Sequence, residues 1–265
     1  MATTTNLLEF ERDKNTIIAG PTASGKTHLL RRILLEGSFS HKPAAVLILS
    51  PDETSSWTPE EIEELEERFD SVDTILGKEH ITNFLDTASE IPEDAIVVFD
   101  DFMTYLTNKE LLRKMEHFSF VITHHRHLWT FWVVHNIFVD GLITIRRNTE
   151  QYILFDLLRG DTRAAERFLQ TRFGPSVFAI VLAVWKDALK NSSHGWLRID
   201  NKLHEPLAGT TVFSSGGITP EGPTTGIYCY NDRPPNNRTL SSDITLKQEV
   251  SGAPASSTIL PVTAP

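Results

Sequence analysis

Apolar residues in this chain fall into short continuous runs separated by stretches with helical spacing. Thr16-Ile-Ile-Ala19, Ala44–Leu49, Ala95–Phe99 and Trp129–Val134 are apolar or β-branched and end at polar or turn residues, the pattern of strands buried on both faces. Between them Leu29, Leu30, Ile33 and Leu34 recur three and four apart, as on a helix. Ile62, Leu65 and Phe69 do the same inside an acidic segment, Pro59–Asp73, which reads as a solvated amphipathic helix. Residues 105–117 also look helical. Farther on, Leu142–Arg147 alternates, Gln151–Asp156 reads as a short strand, and residues 161–172 as a helix. Gly174-Pro175 should then break the chain before a mostly buried helix, Ser176–Lys190, and a last strand, Gly195–Asp200. Strands alternating with helices predict an α/β fold with a parallel sheet.

From about His204 the composition shifts to Ser, Thr, Pro and Gly, with Ile227-Tyr-Cys-Tyr230 as one apolar island. The expected organisation is a lead-in at 1–14, a folded domain at 15–203 and a mostly disordered tail at 204–265.

The 265 residues accommodate one α/β domain and a little more. A net charge of −10 excludes a surface built throughout for polyanions, so any nucleic-acid contact requires a local patch. One cysteine, Cys229, excludes an internal disulfide framework and suits a reducing compartment. Met1-Ala-Thr-Thr-Thr lacks the basic and apolar regions of a secretory signal. The longest apolar run, Val177–Trp185, is too short to span a bilayer. The expectation is a soluble, intracellular protein without membrane insertion.

The first chemistry-bearing stretch is Gly20-Pro21-Thr22-Ala23-Ser24-Gly25-Lys26-Thr27, which matches G-x-x-x-x-G-K-[ST] at every fixed position. It lies between a predicted strand and a predicted helix, the context that a phosphate-binding loop requires. Backbone N–H groups and the helix N-terminus would face the phosphates of ATP. Lys26 would reach the β- and γ-phosphates, and the Thr27 hydroxyl would ligate Mg²⁺. The second stretch is Val97-Val-Phe-Asp100-Asp101, a strand with two carboxylates at its carboxyl end, where open α/β sheets bind ligands. Asp100 would hold Mg²⁺ directly or through water, and Asp101 would orient or deprotonate the attacking water.

His124, His125 and His127 are poorly spaced for one helix face and have no cysteine nearby, which argues against zinc. The run Trp129–Val134 ends in His135-Asn136, polar groups at the same predicted edge. Arg146, Arg147, Arg159, Arg163, Arg167 and Arg172 make the basic-leaning region. It reads equally as a DNA backbone track or as a solvated face paired with Asp161 and Glu166.

Taken together, residues 20–27, Val97-Val-Phe-Asp-Asp-Phe-Met103, Thr123-His-His-Arg126 and Val134-His-Asn-Ile-Phe138 resemble the genome-packaging ATPases of large DNA viruses and virus-like transposons, within the FtsK/HerA superfamily. The segment from Arg147 to Phe155 is similar to that family's final core region, and the likeness covers roughly residues 8–200. The resemblance implies a three-layer α/β/α P-loop NTPase of the additional-strand ATPase type, with a sensor-bearing strand between the loop strand and the acidic strand. It implies that residues 20–27 bind ATP and Mg²⁺, that Asp100 is the metal-side acid, that Asp101 is the water-activating acid, and that Arg126 acts on a neighbouring subunit's γ-phosphate. His135 stands where the family usually has a sensor glutamine, and Ala23 where glycine is common.

The expected function is therefore an ATPase ring that moves double-stranded DNA into a preformed capsid, with a capsid or portal-like partner, in the host cytoplasm or nucleus. Arg146, Arg147, Arg163 and Arg167 are the candidate DNA contacts. The rivals are a phosphotransferase acting on a small acceptor and a nucleotide-gated assembly factor without turnover.

Overall fold

Strand and helix alternate as the apolar pattern requires in the computed structural model, which describes residues 9–52, 56–192, 194–200, 210–219 and 222–231. The order begins β1 (Glu9–Phe10), β2 (Lys14–Ala19), α1 (Lys26–Glu36), β3 (Ser38–Phe39), β4 (Val46–Ser50), α2 (Pro59–Glu66), β5 (Val72–Leu76), α3 (Lys78–Asp86) and β6 (Ile96–Asp100). It continues with α4 (Lys109–His117), α5 (Thr123–His125), β7 (Trp129–Val134), α6 (Ile143–Arg147) and β8 (Thr149–Leu154). Next come α7 (Leu158–Asn191), β9 (Trp196–Asp200), β10 (Thr210–Thr219) and β11 (Gly222–Asn231). Internal contacts divide the chain into two units, residues 1–151 and 152–265.

In the first unit the strands run parallel in the order β2-β7-β6-β4-β5. Right-handed crossovers then fix the helices. From β2 the chain moves across to β4 and β5, which puts α1 and α2 on one face. It returns through β6 and β7, which puts α3 and α4 on the other. The contacts agree: α1 packs on α2, with Arg31 paired to Glu61 and Glu64, and α3 packs on α4, with Lys114 paired to Asp86. The result is the three-layer α/β fold that the sequence predicts, with β7 between the loop strand and the acidic strand.

β2, β4, β6 and β7 are buried along their whole length, which is why they read as unbroken apolar runs. The sequence reading leaves out β5 and α3. β5 is the edge strand, its Asp73 and Thr74 exposed and its apolar residues only half-buried, so it carries no clear signal. α2 starts at a capping box, with Thr58 Oγ1 accepting from the Glu61 N–H and the Glu61 carboxylate accepting from the Thr58 N–H.

Several boundaries differ from the sequence expectation. Residues 105–117 are not one helix: a 3₁₀ turn covers Phe102–Thr107, and α4 begins after Asn108, whose side chain caps it. The helical path then runs on through a π-helical turn, Phe118–Ile122, into α5. Leu142–Arg147, alternating in sequence, is helical, because Leu142 and Ile145 are buried three apart and the Arg146 guanidinium donates to the Ile137 carbonyl at 2.8 Å.

The second unit holds α7, β9, β10 and β11, the last three antiparallel. α7 does not break at Gly174-Pro175 but runs for 34 residues. An interior proline costs about 3 kcal/mol. Leu169 and Phe173 before it and Val181 and Trp185 after it are buried, and that burial offsets the cost. The β10–β11 hairpin stands inside the stretch expected to be mostly disordered, and the island Ile227–Tyr230 falls in β11. Its strand-favouring Val212, Phe213 and Ile227–Tyr230 are diluted by Gly, Ser and Thr, which hides the period-two signal. Residues 232–265 lie outside the described residues. No helix among the described residues is long and apolar enough to cross a membrane.

One buried side chain cross-links the first unit. The Asn15 amide donates to the Ser119 carbonyl at 2.9 Å and the Asn148 carbonyl at 3.2 Å. Its own oxygen accepts from Trp132 Nε1 at 2.9 Å and Ser119 Oγ at 3.3 Å. Asn15→Ala orphans the indole N–H and the serine hydroxyl in a dry interior and should destabilise the protein by about 2–4 kcal/mol. A urea titration checks this; a loss below about 1 kcal/mol would mean that water reaches the cavity.

Candidate functional site

β2 ends at Ala19, and the Gly20 N–H then bonds the Val134 carbonyl at 3.2 Å, which ties the start of the loop to the end of β7. Ala23 has φ 61° and Gly25 φ 96°, both left-handed. Gly25 bears this freely, whereas a methyl group costs about 1–2 kcal/mol there. So the demand at position 23 is one of backbone conformation rather than of size. Gly25 caps α1, whose N-terminal residues Lys26 and Thr27 face the cleft.

Lys26 is buried. Its ammonium donates to the Gly20 carbonyl at 2.9 Å and the Pro21 carbonyl at 3.0 Å, and lies 3.5 Å from His135 Nδ1. Burial pushes its pKa down, opposed by the nearby Asp101 and Asp100 carboxylates.

Asp100 closes β6 and is buried. Burial raises its pKa, against a hydrogen bond donated by Ser56 Oγ at 2.7 Å. The next residue, Asp101, turns sharply, at φ 55°. Its N–H bonds the Val133 carbonyl at 3.1 Å, and its carboxylate lies 3.1 Å from His135 Nε2. Next to Asp100 in the chain, Phe99 stacks face to face on Trp132 with centroids 4.0 Å apart.

These groups converge on a cleft of about 320 Å³ lined by Thr22, Ala23, Lys26, Thr27, Ser50, Asp52, Ser56, Asp100, Asp101, Val133 and His135. It sits at the carboxyl ends of β2, β7, β6 and β4, where the crossovers switch faces. A larger hollow, about 700 Å³, is lined by Thr74–His80 and Phe84 beside the edge strand and carries none of this chemistry. The donor set of the first cleft fits a phosphate chain and a hard cation. Lys26 supplies ammonium hydrogens, and Thr27, Asp100 and Ser56 supply oxygens. Mg²⁺ takes one or two carboxylates plus substrate phosphates, and Asp100 supplies a carboxylate here.

Sequence reasoning did not single out Ser50, Asp52 or Ser56. Their signal was positional: they follow the apolar run Ala44–Leu49, at the same edge as the loop and the acids. Tyr105 Oη donates to the Pro51 carbonyl at 2.9 Å and so ties that segment to the turn after Asp101.

Other predicted residues are not brought to the cleft. Arg126 lies at the opposite edge of the sheet, where β6 and β7 begin; its Nε donates to the Ile91 carbonyl at 2.8 Å, and it pairs with Glu93 at 3.4 Å. Arg146 is half-buried on the Ile137 carbonyl, and Arg147 is exposed. Arg163 and Arg167 are exposed on α7, in the second unit. Arg172 instead stacks on Tyr152 and Phe168, at 4.2 and 4.8 Å.

No protein-family model matches the sequence, and no curated protein matches it. Solved structures do resemble the chain. The genome packaging NTPase B204 from Sulfolobus turreted icosahedral virus 2, in complex with sulfate, aligns with TM-score 0.47 and 11% identity over 72% of this chain and 92% of that one. A KaiC-like protein from Pyrococcus horikoshii aligns with TM-score 0.44 and 14% identity over 81% of this chain and 89% of that one. EssC (ATPases 2 and 3) from Geobacillus thermodenitrificans aligns with TM-score 0.42 and 10% identity over 85% of this chain. The chain spans 41% of that protein and 30% of the EssC cytoplasmic domain, which it also matches. The chain itself folds as a three-layer α/β sheet structure with residues 20–27 leading from β2 into α1.

The raised pKa of Asp100 has a consequence for stability. Ionisation is less favourable in the folded protein than in the unfolded chain, so the stability it contributes is complete at low pH and is lost as pH rises through the raised value. Asp100→Asn removes that ionisation. The variant should melt higher than the parent at pH 7, and the gap should close as pH falls below the ordinary carboxylate value of about 4. Thermal scans across that range check it; a lower melting point at pH 7 would show that the Ser56 hydrogen bond outweighs burial.

Proposed function

We propose that this chain binds ATP with Mg²⁺ in the cleft, hydrolyses it, and uses the cycle to move double-stranded DNA as a ring of identical subunits, packaging a genome into a preformed capsid. The convergence of Lys26, Thr27, Asp100, Asp101 and His135 on one cleft carries the hydrolytic part. In this reading residues 20–27 wrap the phosphate chain, and Lys26 exchanges its loop carbonyls for β- and γ-phosphate oxygens. Thr27 and Asp100 hold Mg²⁺, which supplies charge neutralisation on the phosphates when bound. The Asp101–His135 pair activates the water.

The DNA-moving part rests on the sequence resemblance, with support from Arg126. No arginine lines the cleft among the described residues, yet an arginine is what neutralises charge developing on a transferred phosphoryl group. In this reading Arg126, bonded to the Ile91 carbonyl and paired with Glu93 at the far edge of its own sheet, would leave those partners for a neighbouring subunit's γ-phosphate. The same observation weighs against a phosphotransferase on a small acceptor, because such enzymes close arginine-rich lids over their own cleft. Arg146, Arg147, Arg163 and Arg167 are proposed to follow the DNA backbone.

Lys26→Ala should abolish phosphate release. Arg126→Ala should bind nucleotide normally while turnover falls by about 10³-fold or more. Mixing the two inactive variants should restore part of the activity, since an intact cleft then meets an intact arginine. Equal loss of binding and turnover in Arg126→Ala would make it a structural anchor of Ile91 and Glu93. Turnover should rise with long double-stranded DNA, and the rise should fade with salt as phosphate contacts do; indifference to DNA would sink the motor but leave the ATPase.

A further inference from the structure

Resting on the hydrolytic reading above, we propose that His135 is the group that takes the proton from the attacking water, that Asp101 is its positioning residue, and that Lys26 covers the receiving nitrogen until nucleotide arrives. The imidazole lies between an anion and a cation. Its Nε2 is 3.1 Å from the Asp101 carboxylate, and its Nδ1 is 3.5 Å from Lys26 Nζ. A carboxylate offers only lone pairs and an ammonium only hydrogens, so Nε2 carries the hydrogen and Nδ1 the lone pair. A neutral imidazole with its N–H on a carboxylate and its lone pair turned into a cleft is a general base held by an orienting acid. The Asp101 carboxylate is directed at the imidazole, and its backbone is pinned to Val133.

The three hydrogens of Lys26 match three acceptors: the Gly20 and Pro21 carbonyls and Nδ1. When Lys26 turns to phosphate oxygens, Nδ1 is uncovered, so the base opens only once the phosphates are seated. The water oxygen then forms a bond to the γ-phosphorus, and the bond from that phosphorus to the β,γ-bridging oxygen breaks. The electron pair stays on ADP, and the water's proton passes to Nδ1. The imidazolium afterwards gives it to the released phosphate or to solvent.

The test uses the full chain with Mg²⁺ and ATP, reading phosphate release for turnover and a fluorescent ATP analogue for affinity. His135→Gln preserves a hydrogen-bonding side chain but cannot accept the proton. Its kcat should fall by about 10²–10⁴-fold with nucleotide affinity within about threefold of the parent. His135→Ala should fall as far, and added imidazole should return about tenfold or more of its rate. That rescue should vanish when Asp101→Asn is added. A His135→Gln variant within about fivefold of the parent, or a His135→Ala variant deaf to imidazole, overturns the proton-acceptor role. Rescue that survives Asp101→Asn overturns the positioning role. A parent chain that hydrolyses no ATP under any condition fails earlier, at the hydrolytic reading itself.

Discussion

The carboxyl end of β7 is the constraint on which the site depends. Two successive carbonyls, Val133 and Val134, accept from the Asp101 and Gly20 N–H groups at 3.1 and 3.2 Å, and the next residue in the chain is His135. Loop, acidic turn and imidazole are thus fixed to one another through backbone hydrogen bonds of a buried parallel strand. Each bond contributes only about 1 kcal/mol net, but moving one partner would leave a buried backbone group unpaired, which costs more. β7 therefore acts as a ruler: its position between β2 and β6 sets how far the lysine stands from the carboxylates.

Burial acts on the two central charges in opposite directions, lowering the pKa of Lys26 and raising that of Asp100. Both shifts mean that the cleft holds charge in a place too dry for it. On the proposed function, phosphates would relieve the first and a divalent cation the second, and their binding would stabilise the fold by mass action. The apolar packing behind the acidic turn is itself well determined, because Phe99 stacks on Trp132 and meets Phe102 and Phe118 edge-on.

What was legible in the sequence follows from this burial. Strands covered on both faces write continuous apolar runs, so β2, β4, β6 and β7 could be read, and the phosphate loop could be found between the first of them and α1. The two acids could be read because they end such a run. β5 could not, because an edge strand is half-solvated and loses its pattern. The passage of α7 through Gly174-Pro175 was hidden because local rules see the proline and not the buried Phe173 and Trp185 on either side. Ser56 had only its position to mark it, because its part in the site depends on reaching Asp100 from 44 residues away. Position 23 could be judged for size but not for its left-handed backbone.

The hydrogen bonds of Lys26 explain why so highly charged a cleft holds its shape. Inward-pointing N–H groups and a cation at the centre of such a loop repel one another. Here the ammonium is turned back onto the carbonyls of Gly20 and Pro21, the first two residues of the same loop, so that the cation closes the loop that it will later open. Hydrogen bonds from a charged donor are worth about 1.5–3 kcal/mol each. On the proposed function, phosphate would therefore displace a real competitor, and a ligand with too few oxygens to replace both carbonyls would gain little. That requirement favours a polyphosphate over a single phosphate group.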